Sequence, residues 1–466
     1  METSGIINID KELCEGCGRC KEICPVDAIY GEEGEAYTID QDKCVMCGQC
    51  VQICSAYDTE FNKDMKKGSK RFKERGMIDE ITEPIFAAYN KGTIRELREV
   101  LKDPNLFTVV QCAPAIRVSL GEDFGLDYGT LVVDKIPTAL RKLGFDRVYD
   151  TNFGADVTIM EEGTELIERL KEHKNLPMFT SCCPAWVKFI EQDYPDLLNH
   201  LSSCKSPQQM AGALFKSYGA KINDIDPKKI FSVAIMPCTC KQYEANREEM
   251  QNNGYKDVDL VVTTRELAVL LKAEGIDLKD LEPQGFDVPL GGYCGAGAIF
   301  GVTGGVMEAA IRTGYELASK KPLDNFELKF LRGGEGIREA KVDLGGQTLN
   351  VAMVAGLKNV RSVLDSVRQG TCNYDFVEVM ACPNGCISGG GQPKLVLQWK
   401  REEAYSKRRA SIYAHDKSME FRKSHENPNV KKVYEEFLGK PLGEKSHHLL
   451  HTKYKDRSKN FNKGEK

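Results

Sequence analysis

The sequence predicts an α/β protein with a small α+β N-terminal domain, a large domain with parallel sheets and a helical C-terminal belt. Three observations support this fold class. Cysteines crowd into two similar runs near the N-terminus, short β-rich runs alternate with amphipathic stretches from about residue 105, and the chain becomes helical and charged after residue 400. The expected divisions are a domain over 1–57, a helical connector over 58–104, a large domain over 105–400 and an extension over 401–466.

Composition narrows the function classes. The chain has 466 residues, of which 41% are hydrophobic and 29% charged, which is typical of a globular protein. A net charge of −5 gives no indication of nucleic-acid binding. No apolar run reaches the roughly 18 residues of a membrane span, and the first residues do not resemble a secretory signal. We therefore expect a cytoplasmic protein with no membrane span.

The N-terminal domain is defined by a cysteine repeat. In a cytoplasmic chain 18 cysteines favour metal binding or redox chemistry over disulfides. The two runs share one spacing, offset by 30 residues: Cys14, Cys17, Cys20 and Cys24, then Cys44, Cys47, Cys50 and Cys54. Short segments at IINID, AIY and YTID are predicted to form strands around them.

This repeat resembles that of bacterial two-cluster ferredoxins, in which the last cysteine of each run serves the other cluster. The resemblance implies two 4Fe–4S clusters, one held by Cys14, Cys17, Cys20 and Cys54 and the other by Cys24, Cys44, Cys47 and Cys50. One departure is Ser55, where the first run continues with Pro25. Two zinc sites are the alternative, which four cysteines per run and the Cys-Pro pair disfavour.

The large domain is predicted from its periodicity. Buried strands are expected at 107–111, 147–150, 177–180, 232–236, 259–263, 351–354 and 377–380, and helices at 165–172, 265–274 and 359–370. Parallel strands of this kind place their ligands beyond their carboxyl ends. Cysteines follow three of these strands: Cys182 and Cys183, then Cys238 and Cys240, then Cys382 and Cys386. Four thiolates from these strand ends would hold a third cluster. The glycines at 389–391 indicate backbone packed closely against a bulky neighbour.

Three segments around these cysteines resemble the signature sequences of iron-only (FeFe) hydrogenases. TSCCPxW matches Thr180 to Trp186, MPCxxKxxE matches Met236 to Glu244, and ExMxCxxGCxxGGGxP matches Glu378 to Pro393. The resemblance implies a two-lobed catalytic domain that interconverts protons, electrons and H₂. It also implies an active-site cluster, a 4Fe–4S cube joined to a diiron unit that carries CO, CN⁻ and an azadithiolate. The cube ligands would be Cys183, Cys238, Cys382 and Cys386, with Cys386 as the bridge to the diiron unit.

The same resemblance implies a route for protons. Cys182 would exchange protons with the amine of the azadithiolate, a task that suits a thiol with a pKa near about 8.5. Glu162, Glu165, Arg169 and Ser202 would continue the route towards solvent. Alternatives remain open from the residues alone, because a free cysteine is often a small buried hydrophobe and Glu165 and Arg169 are spaced as an ordinary helical ion pair.

Further positions match the surroundings of the diiron unit. Lys241 would hydrogen-bond a cyanide, and Glu244 is either its partner or a surface carboxylate. The other matching residues are Ala113, Pro114, Pro207, Gln208, Met236 and Met380, although a methionine at a strand end is often only a core residue. The leftover cysteines are expected to be small buried hydrophobes: Cys112, Cys204, Cys240, Cys294 and Cys372.

The C-terminal extension resembles the segment, or separate small subunit, that belts the catalytic domain in this family. Its end, residues 445–466, has seven Lys or Arg, two acids and three histidines, and is expected to be a solvated or partner-docking tail rather than a metal site. A basic stretch at 66–75 in the connector is expected to be a solvated helix face rather than a docking site.

The expected partners follow from the clusters. No glycine-rich nucleotide motif follows the first strand, so electrons are expected to pass through the N-terminal clusters to ferredoxin or to iron–sulfur subunits. Such subunits would include those of a formate dehydrogenase complex or a bifurcating assembly. Hydrogenase maturation proteins would insert the diiron unit. The alternative function is that of a hydrogenase-like iron–sulfur assembly or sensory protein without turnover.

Overall fold

A computed structural model describes residues 5–58, 70–78, 80, 84–334, 336–344 and 346–458. The strands are β1 Ile7–Ile9, β2 Ile29–Tyr30, β3 Thr38–Ile39, β4 Tyr57–Asp58, β5 Ile85–Phe86, β6 Ala88–Asn90, β7 Phe107–Cys112, β8 Arg147–Asp150, β9 Met178–Phe179, β10 Ile230–Met236, β11 Gln251–Asn252, β12 Tyr255–Lys256, β13 Leu260–Thr263, β14 Gly336–Asp343, β15 Thr348–Ala355 and β16 Phe376–Met380. The α-helices are α1 Arg19–Ile23, α2 Gln49–Ile53, α3 Lys70–Arg75, α4 Ile94–Val100, α5 Lys135–Leu143, α6 Thr151–Glu172, α7 Pro184–Asp193, α8 Pro207–Leu214, α9 Ala220–Asn223, α10 Cys240–Ala245, α11 Thr264–Ala273, α12 Gly295–Ala298, α13 Gly305–Ser319, α14 Leu357–Arg368, α15 Arg401–Ser418, α16 Pro428–Val433 and α17 Glu444–Leu450.

The N-terminal domain consists of two similar halves, as the repeat predicts. Each half begins its helix after a left-handed glycine, Gly18 at φ 73° for α1 and Gly48 at φ 72° for α2, a conformation that disfavours other residues. The predicted strands form at β1, β2 and β3. β1 pairs antiparallel with β6, which lies within the predicted connector, so the connector contains strands as well as helices. Lys66 and Lys67 of the basic stretch lie outside the described residues.

The first sheet of the large domain has the order β13-β10-β7-β8, and all its pairs are parallel. Its strands are almost entirely buried, which explains why they read as continuous apolar runs in the sequence. All four were predicted. α6 starts directly from the end of β8, where the Asp150 side chain accepts a hydrogen bond from Asn152 N at 2.8 Å and caps the helix. This start was missed, because only the last turns of α6 show clear helical periodicity.

The second sheet has the order β14-β15-β16-β9. β15, β16 and β9 are parallel and were predicted, whereas β14 pairs antiparallel with β15 and was missed. Most side chains of β14 alternate between half-buried and exposed, and its sequence GIREAKVD is rich in charge. An edge strand of this kind lacks the apolar run that identified the others. The predicted parallel sheet is confirmed over β15, β16 and β9, and β14 adds an antiparallel edge to it.

The parts share their hydrophobic cores. One buried cluster joins Ile29 and Val45 of the N-terminal domain to Trp186 and Val377 of the second lobe. α15 and the helices after it pack against the large domain, as the resemblance implies: α15 contacts α12, α16 contacts α6 and α17 contacts α8. Among the described residues, the helices include none long and apolar enough to cross a membrane.

Candidate active site

The eight N-terminal cysteines form two groups, each lining its own small cavity. Cys14, Cys17, Cys20 and Cys54 line one cavity, and Cys24, Cys44, Cys47 and Cys50 line the other. The last cysteine of each run therefore joins the other group, which is the exchange implied by the ferredoxin resemblance.

The thiols of these cavities suit iron–sulfur ligation. Burial, together with the nearby thiols of Cys14, Cys17 and Cys54, raises the pKa of Cys20 to about 11. Backbone N–H groups point at the sulfurs: Ala28 N lies 3.3 Å from Cys24 Sγ and Ala88 N lies 3.4 Å from Cys54 Sγ. Buried sulfurs that already have N–H donors fit the anionic sulfur shell of a 4Fe–4S cluster.

The central pocket lies where the two sheets meet. It is lined by residues that follow β7, β9, β10 and β16, so the carboxyl ends of strands from both sheets contribute to it. The thiols of Cys183, Cys238, Cys382 and Cys386 all line this pocket. Burial and their mutual repulsion raise the pKa of Cys238 and that of Cys386 to about 12. All 18 cysteines lie in the described ranges, and none is in a disulfide. Four free thiols brought together this way fit a third cube.

Two of these thiols lie at helix N-termini. Cys183 is the N-cap of α7, and the N–H groups of Ala381, Trp186 and Ala185 oppose the rise in pKa that burial causes at its thiol. Cys238 precedes α10, where the N–H groups of Cys240 and Lys241 act in the same direction. Such electropositive positions favour the thiolate form that a metal ligand needs.

The glycine run after β16 packs closely against neighbouring backbone, and Gly389 lines the pocket. A Cβ on Gly389 would lie 2.3 Å from Pro237 O, and one on Gly390 would lie 2.5 Å from Cys47 O. The bulky neighbour inferred from the glycine run is therefore protein backbone, partly from the N-terminal domain.

Cys182 lines the same pocket, and Glu162 of α6 is the charged group that influences its thiol most. Burial and the adjacent Glu162 carboxyl raise the pKa of the Cys182 thiol well above its usual range. The ordinary thiol pKa assumed from the sequence is therefore wrong for this fold, because the side chain is desolvated beside an acid. A thiol in this environment stays protonated and can act as a proton donor.

The predicted relay residues lie together. Glu162 is buried, and among the described residues neither of its oxygens has a partner with normal hydrogen-bond geometry, although Ser202 and the Ser181 N–H approach closely enough to oppose the effect of burial. Burial, and next the Glu165 carboxylate, raise the pKa of Glu162 to about 8. Ser202 Oγ donates to Glu165 Oε2 at 3.0 Å, and Arg169 Nη2 donates to Glu165 Oε1 at 2.6 Å.

Lys241 is anchored at the pocket wall. Its ammonium donates to Cys182 O at 3.1 Å, Ser206 Oγ at 2.8 Å and Glu244 Oε2 at 2.8 Å. Glu244 is buried, so of the two alternatives for this residue the structure favours a partner of Lys241 over a surface carboxylate. Gln208 Nε2 donates to Glu244 Oε2 at 3.1 Å, which leaves Gln208 Oε1 without a partner among the described residues.

The other predicted neighbours of the diiron unit all line the pocket: Ala113, Pro114, Pro207, Met236 and Met380. Thr151, Ala155 and Phe300 line it too and were missed, because nothing in their local sequence distinguishes them from core residues. Of the leftover cysteines, Cys112, Cys204, Cys240 and Cys294 are buried as expected, whereas Cys372 is partly exposed in a loop after α14.

The N-terminal domain contacts this pocket directly. Gln49 Nε2 lies 3.3 Å from Cys382 Sγ, and Thr239 Oγ1 donates to Met46 O at 2.7 Å. The thiol of Cys47 also influences the pKa of Cys382. Of the two N-terminal cavities, the nearer one to the central thiols is therefore the one lined by Cys24, Cys44, Cys47 and Cys50. No sequence pattern identified this contact.

Comparisons with known proteins agree with the site. Family models match as iron only hydrogenase large subunit, C-terminal domain, at 107–390, as iron hydrogenase small subunit at 402–457, and as 4Fe-4S dicluster domain at 6–55. Iron hydrogenase 1 of Clostridium pasteurianum is 42% identical over 455 residues, which cover 97% of this chain and 76% of that protein. The periplasmic Fe hydrogenase large subunit of Nitratidesulfovibrio vulgaris is 43% identical over 391 residues, or 84% of this chain and 86% of that one.

A subunit of the NADP-reducing hydrogenase of Solidesulfovibrio fructosivorans is 48% identical over 377 residues. These residues are 80% of this chain, and they span 64% of that relative's length. Among solved structures, a variant of apo FeFe hydrogenase from Chlamydomonas reinhardtii superposes with a TM-score of 0.68 at 41% identity. The superposition covers 78% of this chain and 99% of that chain.

Proposed function

Since the chain belongs to the iron-only hydrogenase family, oxidoreductases that act on H₂, we propose that it catalyses 2H⁺ + 2e⁻ ⇌ H₂ in the central pocket. The observation that carries the proposal is the convergence of the five thiols of Cys182, Cys183, Cys238, Cys382 and Cys386 on one cavity between the two sheets. Cys183, Cys238, Cys382 and Cys386 would hold the cube, with Cys386 as the bridge. The cube and the diiron unit supply the redox chemistry when bound, and the protein supplies orientation, electrostatics and exclusion of water.

Protons are supplied by this chain's own side chains. The Cys182 thiol gives its proton to the substrate side of the pocket and is reprotonated by Glu162, whose raised pKa of about 8 keeps it protonated near neutral pH. Ser202 and Glu165 continue the route, and Arg169 holds Glu165 near the outer end. In H₂ oxidation the same groups accept protons in the opposite order.

The remaining pocket residues position and enclose the site. Lys241 places an ammonium at the pocket wall, where a cation stabilises an anionic ligand such as cyanide. Met236, Met380, Pro114 and Pro207 line the pocket with apolar surface that keeps water out. Ala113 and Gln208 complete the wall, with the free Gln208 Oε1 as an acceptor.

Electrons would travel through three clusters in series. The Cys14 group contains the exposed Cys17 and is the one open to a partner, while the Cys24 group lies against the central thiols through Gln49. The external carrier we propose is a ferredoxin or an iron–sulfur subunit of a larger assembly in the cytoplasm, such as a formate dehydrogenase complex. The similarity to a subunit of an NADP-reducing hydrogenase supports an assembly.

Metal analysis tests the cluster assignment. We expect about twelve iron atoms per chain before maturation and about fourteen after insertion of the diiron unit, from three sets of four thiols. Cys382→Ala should remove about four of the twelve and abolish H₂ production, while the N-terminal clusters keep their EPR signals. Cys112→Ala, which changes a buried cysteine outside the thiol sets, is the matched control. Only eight iron atoms in the unaltered chain would contradict the third cube.

A further inference from the structure

The end of the C-terminal extension is not a solvated tail, at least as far as residue 458. Residues 449–454, here called the C-terminal clamp, lie against residues 202–205, here called the serine segment. Lys205 N donates to Leu450 O and Thr452 N donates to Ser203 O, each at 2.8 Å. Tyr454 Oη donates to Ser202 O at 3.0 Å and to Cys204 O at 3.2 Å. The expectation of a solvated or docking tail is therefore wrong for these residues.

The serine segment also holds Glu165 of the proposed proton relay. Ser203 N donates to both Glu165 oxygens, at 3.1 and 3.0 Å, and Ser202 Oγ donates to Glu165 Oε2 at 3.0 Å. The direction of the Glu165 carboxylate is therefore set by the backbone position of residues 202 and 203. Whatever fixes that backbone also fixes the distance between Glu165 and the Ser202 hydroxyl.

His451 is a second side chain by which the clamp contacts the serine segment. Its imidazole is 1% exposed, with Nδ1 lying 2.8 Å from Ser203 Oγ and Nε2 lying 3.0 Å from Glu161 Oε2. A carboxylate only accepts hydrogen bonds, so Nε2 carries a proton, and in the neutral ring Nδ1 accepts from the Ser203 hydroxyl. Both ring nitrogens are therefore engaged, one on each side of the ring.

The anchor for His451 is itself fixed. Glu161 on α6 accepts from the Tyr434 hydroxyl and from Leu442 N at 2.8 Å, in addition to His451. The other titratable groups near the ring are Glu165, one of whose oxygens lies within 4.8 Å of a ring nitrogen, Cys204, whose Sγ lies 4.0 Å from Nδ1, and His447, whose ring stacks on it at 4.7 Å. The imidazole thus spans two rigid points, α6 and the serine segment.

We propose that His451 is a positioning residue for the proton relay, which holds Ser203 so that the Ser202 hydroxyl and the Glu165 carboxylate stay aligned. The inference rests on the relay assigned under the proposed function. It makes the C-terminal extension a functional part of proton transfer. Misplacement by about 1 Å costs about 10²-fold in rate where groups must be aligned for reaction.

Two variants separate the two contacts of His451. An Asn side chain reaches about as far as Nδ1, so His451→Asn keeps an acceptor for Ser203, whereas His451→Gln reaches Nε2 and keeps a donor for Glu161. We expect His451→Gln to lower H₂ production by about 10²-fold and to raise the solvent deuterium isotope effect, because proton transfer becomes limiting. His451→Asn should show a smaller fall in H₂ production and a smaller rise in the isotope effect. His448→Gln, an exposed histidine of α17, is the control and should match the unaltered enzyme.

All variants are compared as matured enzyme at equal iron content, with the infrared bands of CO and CN⁻ recorded to show an intact site. Unchanged turnover in His451→Gln, or a greater loss in His451→Asn, would overturn the inference. If both variants lose clusters, Tyr454→Phe provides the test, since it removes two hydrogen bonds to the serine segment and leaves His451 in place. It should raise the isotope effect at full iron content, and an unaltered isotope effect would count against the clamp. Glu165→Gln distinguishes a failure of the His451 inference from a failure of the proposed relay, because full activity in that variant would reject the relay itself.

Discussion

Cys182 and Cys183 are neighbours in sequence, yet the fold gives them different surroundings. Cys183 caps α7 and faces backbone N–H groups, whereas Cys182 faces the Glu162 carboxyl. Burial raises the pKa of both thiols, but the N–H groups oppose this rise at Cys183, whereas the Glu162 carboxyl adds to it at Cys182. This difference is the basis for assigning Cys183 as a ligand of the cube and Cys182 as the proton donor.

The substitution Cys182→Ala tests that division. We expect turnover to fall by about 10²–10⁴-fold or more, because the pocket loses its proton donor, while iron content and the CO and CN⁻ bands persist. Cys182→Asp should recover part of the activity with a lower pH optimum, since a carboxyl has a lower pKa than a thiol. Near-normal H₂ production by a fully loaded Cys182→Ala enzyme would reject the assigned role.

The pKa of Glu162 predicts a pH limit. The raised value of about 8 means that Glu162 is protonated below this pH and ionised above it, where it cannot donate to Cys182. H₂ production, measured on an electrode at a fixed offset from the H⁺/H₂ potential, should therefore fall as the pH rises through about 8. Chemical reduction of the N-terminal clusters needs no relay and should show no such limit. If the fall in H₂ production near pH 8 persists unchanged in Glu162→Gln, the titration belongs to another group.

At the residue scale the sequence was most informative where chemistry demands a residue type at a fixed spacing. The twelve proposed thiol ligands fall into three groups as expected, because cluster ligation constrains spacing tightly. The roles of His451 and Tyr454 could not be anticipated. Their partners lie about 250 residues away in the chain, and a charged terminal sequence suggests solvent.

At the element scale the buried strands were predictable and the exposed ones were not. β16 is buried throughout and β10 almost throughout, and both are mainly apolar, whereas β14 alternates and carries charge. The contact between α2 and the glycine run after β16 could not be predicted from the sequence either, because it depends on two distant backbone segments that meet at Gly48 and Gly390.

Gly390→Ala tests this contact. Its Cβ would lie 2.5 Å from Cys47 O and 2.6 Å from Gly48 Cα, so the two backbones must separate, at a cost of about 1–3 kcal/mol. We expect slower reduction of the N-terminal clusters by H₂, followed by rapid-mixing EPR, with the central site still loaded. Gly285→Ala adds a Cβ in open space and should leave the rate unaltered. A normal rate of cluster reduction in Gly390→Ala would show that electron transfer to the N-terminal clusters does not depend on this contact.

At the scale of the whole molecule, two lobes, an N-terminal domain and a C-terminal extension meet around one pocket. The N-terminal domain contributes Gln49 beside Cys382, and the extension contributes His451 beside the serine segment. Under the proposed function, electrons and protons would therefore approach the pocket from different parts of the chain. The division into four domains stays a prediction, and we expect deletion of either terminal part to impair turnover more than cluster loading in the part that remains.

Infrared spectroscopy of the matured, full-length chain tests the central claim most directly. If the central pocket holds a cube joined to a diiron unit, the spectrum must show bands of metal-bound CO and CN⁻, and these bands must be absent from Cys386→Ala. A protein that only assembles or senses iron–sulfur clusters would carry its cubes and show no such bands. Full loading of the three cubes without CO or CN⁻ bands after maturation would contradict the assignment of this chain as a working hydrogenase.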